Sequence, residues 1–457
     1  MSTKEHLRTA GSAGSTASEQ PGSASLPPGV RLGSGTAWSL AAQIVAATAS
    51  VVVGVLVARA LGPEGKGTLT IVQQTVAILM VVFDLGIGLG AVYYISKGEV
   101  GPGTVLGNTL VALAAIGGVA FVAMIVLFRS PLAVIHLDWG FTLAAFGLFM
   151  ANLAILWIGS IAVGILGVKG GARPSMIASL VTLAVVAGAW YAGSRSAITV
   201  VLASTVGLVL GTVFAVLSVA PRLRPIQVSA KALRLMRRYS TKLYVAGVTD
   251  FLHFRQDVLM LGWLAGVGTA GVYSVGVSIA EIATRLPSAM GNAIQAQASR
   301  MSHESALDMA ARAIRLTALF AVLVVGGLAL VVHWLIPQLF GESFRGAVLV
   351  FYVLAPGALA NALIWPISSY QSARGQVFWG VSVAGQVLNV AMNLALIPRF
   401  GAVGAAAASS VSYALMVGAL VFRLRRHTGM GTAFFLVPTR EDLAIVVSSA
   451  RSYLGRR

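Results

Sequence analysis

The sequence predicts an all-α polytopic membrane protein of about twelve transmembrane helices, arranged as two halves of six. Composition gives the first indication: 57% of the 457 residues are hydrophobic and only 10% are charged. Soluble domains carry roughly a quarter charged residues, and no core of this size absorbs that excess of apolar surface. Secondly, apolar runs repeatedly reach the ~20 residues needed to cross hydrocarbon. Backbone polar groups find no water there, so such runs must be helical. The third observation is the charge pattern. A net charge of +18 is concentrated between the apolar runs, where it orients membrane helices. Nucleic acid is therefore not needed to explain the basicity.

The first six expected spans are 37–58, 68–95, 104–128, 141–168, 174–192 and 197–219. After a basic connection come 241–264, 268–291, 313–336, 347–370, 376–397 and 402–422. With the N-terminus inside, 24 of the 32 Lys and Arg residues fall on the cytoplasmic side and six on the other. The remaining two, Arg255 and Arg285, lie well inside spans. That asymmetry predicts an even number of spans with both termini cytoplasmic.

Residues 1–35 are rich in Ser, Gly, Ala and Pro and lack an apolar signal-peptide core. They read as a disordered cytoplasmic tail. Residues 36–220 form the first six-helix unit, 221–240 a basic cytoplasmic linker, 241–424 the second unit and 425–457 a basic cytoplasmic tail. Within the linker, Ala230–Tyr239 reads either as a basic amphipathic helix on the inner leaflet or as a solvated connection. The halves echo each other faintly. A Gly-rich hairpin follows the first span of each, at Arg59–Thr68 and Leu261–Gly271. Repeats of this kind build transporters with a site between the halves.

No enzyme constellation is present, so no catalytic residue is assigned. The six histidines lack metal-ligand spacing, there is no cysteine, and no phosphate-binding Walker loop occurs. Gly86-Ile-Gly-Leu-Gly lies in a span and reads as a close-packing face. The informative residues are ionisable groups inside spans, which cost ~2.5–3.5 kcal/mol or more at the bilayer centre and so face the bundle interior. Asp250, His253 and Asp257 share one face of span 7 at i, i+3 and i+7, with Arg255 pointing elsewhere. Glu281 and Arg285 are spaced i, i+4 in span 8. Gln386, Asn389 and Asn393 share a face of span 11, and Ser409, Ser410 and Ser412 follow in span 12. Arg59 and Lys66, near the outer mouth, read as surface charges. Pro287, Pro337, Pro356, Pro366 and Pro398 can kink or end helices.

Several fragments carry a family resemblance. They include Leu56-Val-Ala-Arg-Ala-Leu-Gly-Pro-Glu-Gly-Lys-Gly, Phe83-Asp-Leu-Gly-Ile-Gly, Arg255-Gln-Asp-Val-Leu-Met-Leu-Gly and Ala270-Gly-Val-Tyr-Ser-Val-Gly. Leu339-Phe-Gly-Glu-Ser-Phe-Arg, the run from Leu388 to Gly401 and Gly401-Ala-Val-Gly-Ala-Ala continue the series. In order and spacing the chain resembles the polysaccharide-unit flippases of the multidrug/oligosaccharidyl-lipid/polysaccharide (MOP) exporter superfamily. The resemblance implies two six-helix lobes around a central cavity in the cytoplasmic membrane. It further implies alternating access and a polyprenyl-diphosphate-linked oligosaccharide as cargo. Such a cargo needs a cationic contact, so Arg255 and Arg285, with Glu281, are the candidate substrate-binding residues. Internal ion pairing, Arg285 with Glu281 and Arg255 with Asp257 or a neighbouring helix, is the other reading. By the same resemblance, Asp257, Asn389, Asn393 and Ser409 could form a cation site in the second lobe, for Na⁺ or H⁺; interhelical hydrogen bonding is its alternative. No other cofactor and no resident metal is implied. Asp84 and Asp250 are the gating candidates, with a helix-end or packing role as the other reading of Asp84. Both working alone and working beside a polysaccharide polymerase or export machinery fit the resemblance. A drug or metabolite exporter of the same fold, with an acidic and aromatic cavity, is the second functional reading. A non-transporting scaffold is the third. A membrane glycosyltransferase is the weakest, because the loops are too short to hold a catalytic domain.

Overall fold

A computed structural model of the chain describes residues 32–131, 133–299, 301–374, 379–442 and 444. Thirteen α-helices occupy them, and no strand occurs among the described residues. They are α1 (Leu32–Phe83), α2 (Ile87–Ser96), α3 (Pro102–Arg129), α4 (Trp139–Leu166), α5 (Val168–Tyr191), α6 (Ala197–Val219) and α7 (Ala230–Leu264). There follow α8 (Val267–Ala280), α9 (Ile282–Ala298), α10 (His303–Phe340), α11 (Gly346–Ala373), α12 (Trp379–Thr428) and α13 (Thr432–Leu436). Among the described residues, eight helices are long and apolar enough to cross a membrane.

Two of these helices each hold two expected spans. α1 turns at Gly62, where φ is +65°, and α12 turns at Gly401, where φ is +54°. Only glycine takes that left-handed conformation without strain, and Pro63 then starts the second leg with φ already set. Span 2 breaks at Asp84-Leu85-Gly86 and continues as α2. Span 8 breaks at Glu281 between α8 and α9.

The helices form two lobes. Lobe 1, α1–α6, packs around Trp157, Phe149 and Phe128. Lobe 2, α8–α12, packs around Phe344, Phe351 and Ile336. Of the two readings of Ala230–Tyr239, a basic amphipathic helix or a solvated connection, the stretch is helical, and its helix α7 belongs to both lobes. It begins at Ala230, inside the stretch read as a connection, and buries Ala232 and Met236 against α2, α3 and α4 of lobe 1. Its second half buries Val258 and Leu261 in lobe 2. Residues ahead of it are held as well: Asn108 of α3 donates to the Ser229 carbonyl at 3.0 Å and accepts from the Ser229 amide at 2.9 Å.

The lobes meet closely at the end that carries the Gly62, Gly266 and Gly401 turns, here called the hairpin end. Small residues permit it. A methyl group added at Gly271 of α8 would lie 2.1 Å from the Pro63 carbonyl oxygen of α1. Thr70 Oγ1 donates to Ser274 Oγ across the same seam at 3.4 Å. Arg59, expected at the surface, reaches over it: its Nε donates to the Leu339 carbonyl at 2.8 Å, and its guanidinium also bonds the Gln338 carbonyl.

The expected tails differ in outcome. Residues 1–31 lie outside those described, and 32–35 already belong to α1. Of the basic C-terminal tail, 425–442 is folded against lobe 2 rather than free. Phe435 is fully buried beside Ala310 and Ile314 of α10. Arg315 Nε donates to Asp442 Oδ2 at 2.6 Å, and its Nη1 donates to the Phe434 carbonyl at 2.8 Å. Burial pushes the Asp442 carboxyl up, but hydrogen bonds from Arg315 and Thr439 outweigh it and hold the group at about 2. A depressed carboxyl stabilises the folded state above its unfolded value of ~3.9 and loses that contribution as pH falls toward the folded value. Protease nicking after Thr428 is therefore expected to rise several-fold between pH 5 and pH 2 in wild type, and to be high already at neutral pH in Asp442→Asn. Equal nicking of both proteins at pH 7 would contradict the clamp.

Candidate functional site

A cluster of oxygen atoms is buried in lobe 2 where α7, α8 and both legs of α12 meet. Asp257 is 4% exposed, Ser409 1%, and Asn389 and Asn393 are fully buried. Tyr273 Oη and Ser409 Oγ each donate to Asp257 Oδ2 at 2.7 Å. Asn389 Nδ2 donates to Ser409 Oγ at 3.4 Å, and Asn393 Nδ2 to Asn389 Oδ1 at 2.9 Å. Gln256 Nε2 donates to Asn389 Oδ1 at 2.9 Å, and Gln386 Nε2 bonds Gln256 Oε1. The four residues expected to share a site are thus brought together.

The cluster is incomplete as it stands. Asp257 Oδ1 and Asn393 Oδ1 are buried without a hydrogen-bond partner. An unsatisfied buried acceptor costs ~1–3 kcal/mol, and more for a charged group. Oxygen-only ligands suit a hard cation. Among the described residues there is no group of three His, Asp or Glu side chains able to hold a metal ion. One carboxylate surrounded by neutral oxygens matches a single positive charge, and so fits Na⁺ or H⁺.

Beside the cluster lies a small cavity of about 50 Å³ lined by both Arg255 and Asp257, with Tyr273, Glu281, Asn361 and Tyr413. Arg255 was expected to point away from Asp257; instead the two share this space. Arg255 pairs with Glu281 at 3.5 Å, and the two side chains are 34% and 28% exposed. The expected i, i+4 pair of Glu281 with Arg285 is corrected by this: Glu281 ends α8 and turns toward α7, while Arg285 is exposed and does not line the cavity.

Asp84 sits at the break after α1, where Leu85 has φ +52° and Gly86 +70°. Its Oδ1 accepts from Trp157 Nε1 at 2.7 Å, and Trp157 is fully buried. Buried indole N–H groups need such a partner, and Asp84 supplies it at a helix end. The side chains of Asp250 and His253 lie outside the described residues. Lys66, read as a surface charge, lines a cavity inside lobe 1 instead.

Sequence reasoning missed Tyr273, Gln256 and Tyr413. Tyr273 lies within the quoted fragment Ala270-Gly-Val-Tyr-Ser-Val-Gly, and Gln256 adjoins Asp257. The signal for Tyr273 was the turn at Gly266, which folds α8 back along α7 and returns the phenol to the carboxylate.

With two lobes, an interlobe seam at one end and a buried polar cluster in lobe 2, the chain has the fold of MOP-superfamily transporters. It is similar to the lipid II flippase MurJ in its inward closed conformation: TM-score 0.68, 13% identity, covering 85% of this chain and 87% of that one. It is similar to an inward-facing multidrug resistance MATE transporter, with TM-score 0.64, 15% identity, and 84% and 94% of the two chains covered. A MOP-superfamily transporter from Pyrococcus furiosus, described as having a binding pocket of reversed polarity, gives TM-score 0.60 at 14% identity over 88% and 96%. No curated protein sequence matches the chain. The model of the family described as polysaccharide biosynthesis protein matches residues 32–295, more than half of the sequence, and the chain belongs to that family.

Removing the acceptor from Trp157 leaves its N–H unpaired in an apolar core. Asp84→Ala is expected to lose ~1–3 kcal/mol of stability in denaturant unfolding of the detergent-solubilised protein, and Asp84→Asn, which keeps an acceptor, less than half of that. Equal loss in both variants would separate Asp84 from the Trp157 contact.

Proposed function

We propose that the protein is a flippase of the cytoplasmic membrane. It carries a polyprenyl-diphosphate-linked oligosaccharide repeat unit from the cytoplasmic to the outer side by alternating access, and cation binding at Asp257 drives the cycle. The observation that carries this reading is the shared cavity of Arg255 and Asp257. From the one helix α7 the cavity receives a guanidinium suited to a phosphate oxygen and a buried carboxylate with a free acceptor. Membership in a polysaccharide biosynthesis family supports the class of cargo.

The two groups give the coupling a physical basis. Arg255 is held by Glu281 at 3.5 Å, and a diphosphate would compete for the same guanidinium. A cation at Asp257 adds positive charge to the same small cavity, which weakens one arrangement of charges and strengthens another. On the positive-inside assignment the packed hairpin end is the outer end, so the chain is in an inward-facing arrangement. The exporter alternative expects acidic and aromatic walls. The large cavity of lobe 1 has neither a carboxylate nor an aromatic ring in its lining, which favours an anionic cargo.

The test is flipping of a labelled polyprenyl-diphosphate saccharide in proteoliposomes. Arg255→Ala is expected to lower the rate at least about tenfold, equivalent to ~1.4 kcal/mol, with Arg255→Lys intermediate because a lysine cannot bind bidentately. Asp257→Asn is expected to remove the response of the rate to Na⁺ or pH. Wild-type rates in correctly folded Arg255→Ala would contradict the assignment.

A further inference from the structure

A cavity in lobe 1 is not used by the lobe 2 cluster. It measures about 350 Å³ and lies between the two legs of α1 and the middle turns of α4, α5 and α6. Its size falls within the ~300–1,000 Å³ of ordinary ligand sites. One charge lines it, Lys66, one turn into the second leg of α1. Among the described residues, Lys66 takes part in no ion pair. An ammonium within a transmembrane helix is costly and persists where it serves a ligand or a pathway.

Much of the neutral polar lining presents acceptors. Ser179, Thr182 and Ser204 donate to the carbonyls of Ser175, Ala178 and Val200 at 2.9, 2.8 and 2.8 Å. Asn152 Nδ2 donates to the Leu148 carbonyl at 2.8 Å. The three hydroxyl donors are spent on their own helices, so these oxygens face the cavity as acceptors, joined by the Asn152 amide oxygen; the amides of Asn152 and Gln73 keep N–H donors as well. A ligand rich in O–H donors matches such a wall. The single ammonium matches one anionic substituent. This cavity holds no arginine, whose planar fork would grip a phosphate bidentately.

We propose that the lobe 1 cavity is a subsite for an acidic sugar. Lys66 binds the carboxylate of a uronate-type residue, and the oxygens of Asn152, Ser179, Thr182 and Ser204 accept from its ring hydroxyls. This rests on the reading of the cargo as a lipid-linked oligosaccharide, and it narrows that cargo to one bearing a carboxylate.

Two polyprenyl-diphosphate lipids that differ only in a hexose or a hexuronate distinguish the carboxylate from the diphosphate as the ligand. In proteoliposomes, Lys66→Met is expected to lower the ratio of acidic to neutral flux about tenfold, and Lys66→Arg to restore most of it. An unchanged ratio overturns the proposal, as does equal loss on both lipids, which would assign Lys66 to the shared diphosphate or to folding. A second readout needs no transport. Glucuronate, and not glucose, is expected to raise the thermal midpoint of the detergent-solubilised wild type and to leave Lys66→Met unmoved. If wild type flips neither lipid yet shows that shift, the flippase reading falls and the subsite stands; if glucuronate gives no shift in wild type, the subsite falls.

Discussion

A carboxyl group buried inside a helical membrane bundle must find hydrogen-bond partners or a cation, and Asp257 is where this protein meets that constraint. Two hydroxyls, from Tyr273 and Ser409, serve one of its oxygens, and the other has no partner. Neither hydroxyl is local in sequence. Tyr273 reaches Asp257 because the chain reverses at Gly266, and Ser409 reaches Asn389 because α12 reverses at Gly401. The turns that close the hairpin end therefore also assemble the polar cluster. A change that shifts these turns would alter the seam between lobes and the carboxylate's surroundings together.

The sharing of α7 links the cluster to the rest of the molecule. One end of that helix is embedded in lobe 1 through Met236, and the other carries Asp257 and Leu261 in lobe 2. At the hairpin end the lobes also meet through α1 and α8, where glycines bring the backbones together. In the proposed cycle this seam must part; among the described residues, the Thr70–Ser274 contact and the Arg59 bonds to backbone carbonyls cross it, beside apolar packing of Ala58 and Ile71. Such bonds are worth ~0.5–1.5 kcal/mol each net, or ~1.5–3 where a charged group takes part. The charges of the site follow the same economy. Arg255 is held by Glu281 and remains partly exposed, which leaves it open to exchange one anionic partner for another.

The helices were legible because the bilayer imposes a length and an apolar composition on each crossing. The lobe 2 cluster was legible in part. The i, i+3, i+7 spacing put Gln386, Asn389 and Asn393 on one face, and the family resemblance joined them to Asp257 and Ser409. What the sequence obscured was tertiary. The i, i+4 rule paired Glu281 with Arg285, but the helix ends at Glu281 and the carboxylate turns to Arg255. For Ala230–Tyr239 local charge left two readings, a helix on the inner leaflet or a solvated connection, and neither foresaw that Met236 is buried in a core. By charge the C-terminal segment reads as a basic tail, and the contacts of Arg312 and Arg315 with Glu441 and Asp442 that dock it join residues more than a hundred positions apart. Lys66 lies close to a chain reversal, which suggested a surface, and only the packing of α4, α5 and α6 around α1 encloses it.

The central claim is that a cation at the Asp257 cluster drives movement of an anionic lipid-linked cargo. The most direct measurement is the initial flipping rate of a labelled polyprenyl-diphosphate oligosaccharide by the wild-type protein in liposomes, with an imposed Na⁺ or proton gradient and without one. The account predicts a rate that rises with one of these gradients and falls when an ionophore collapses it. Equal rates under every cation condition would contradict it, leaving the buried cluster a structural feature and the cargo's movement uncoupled.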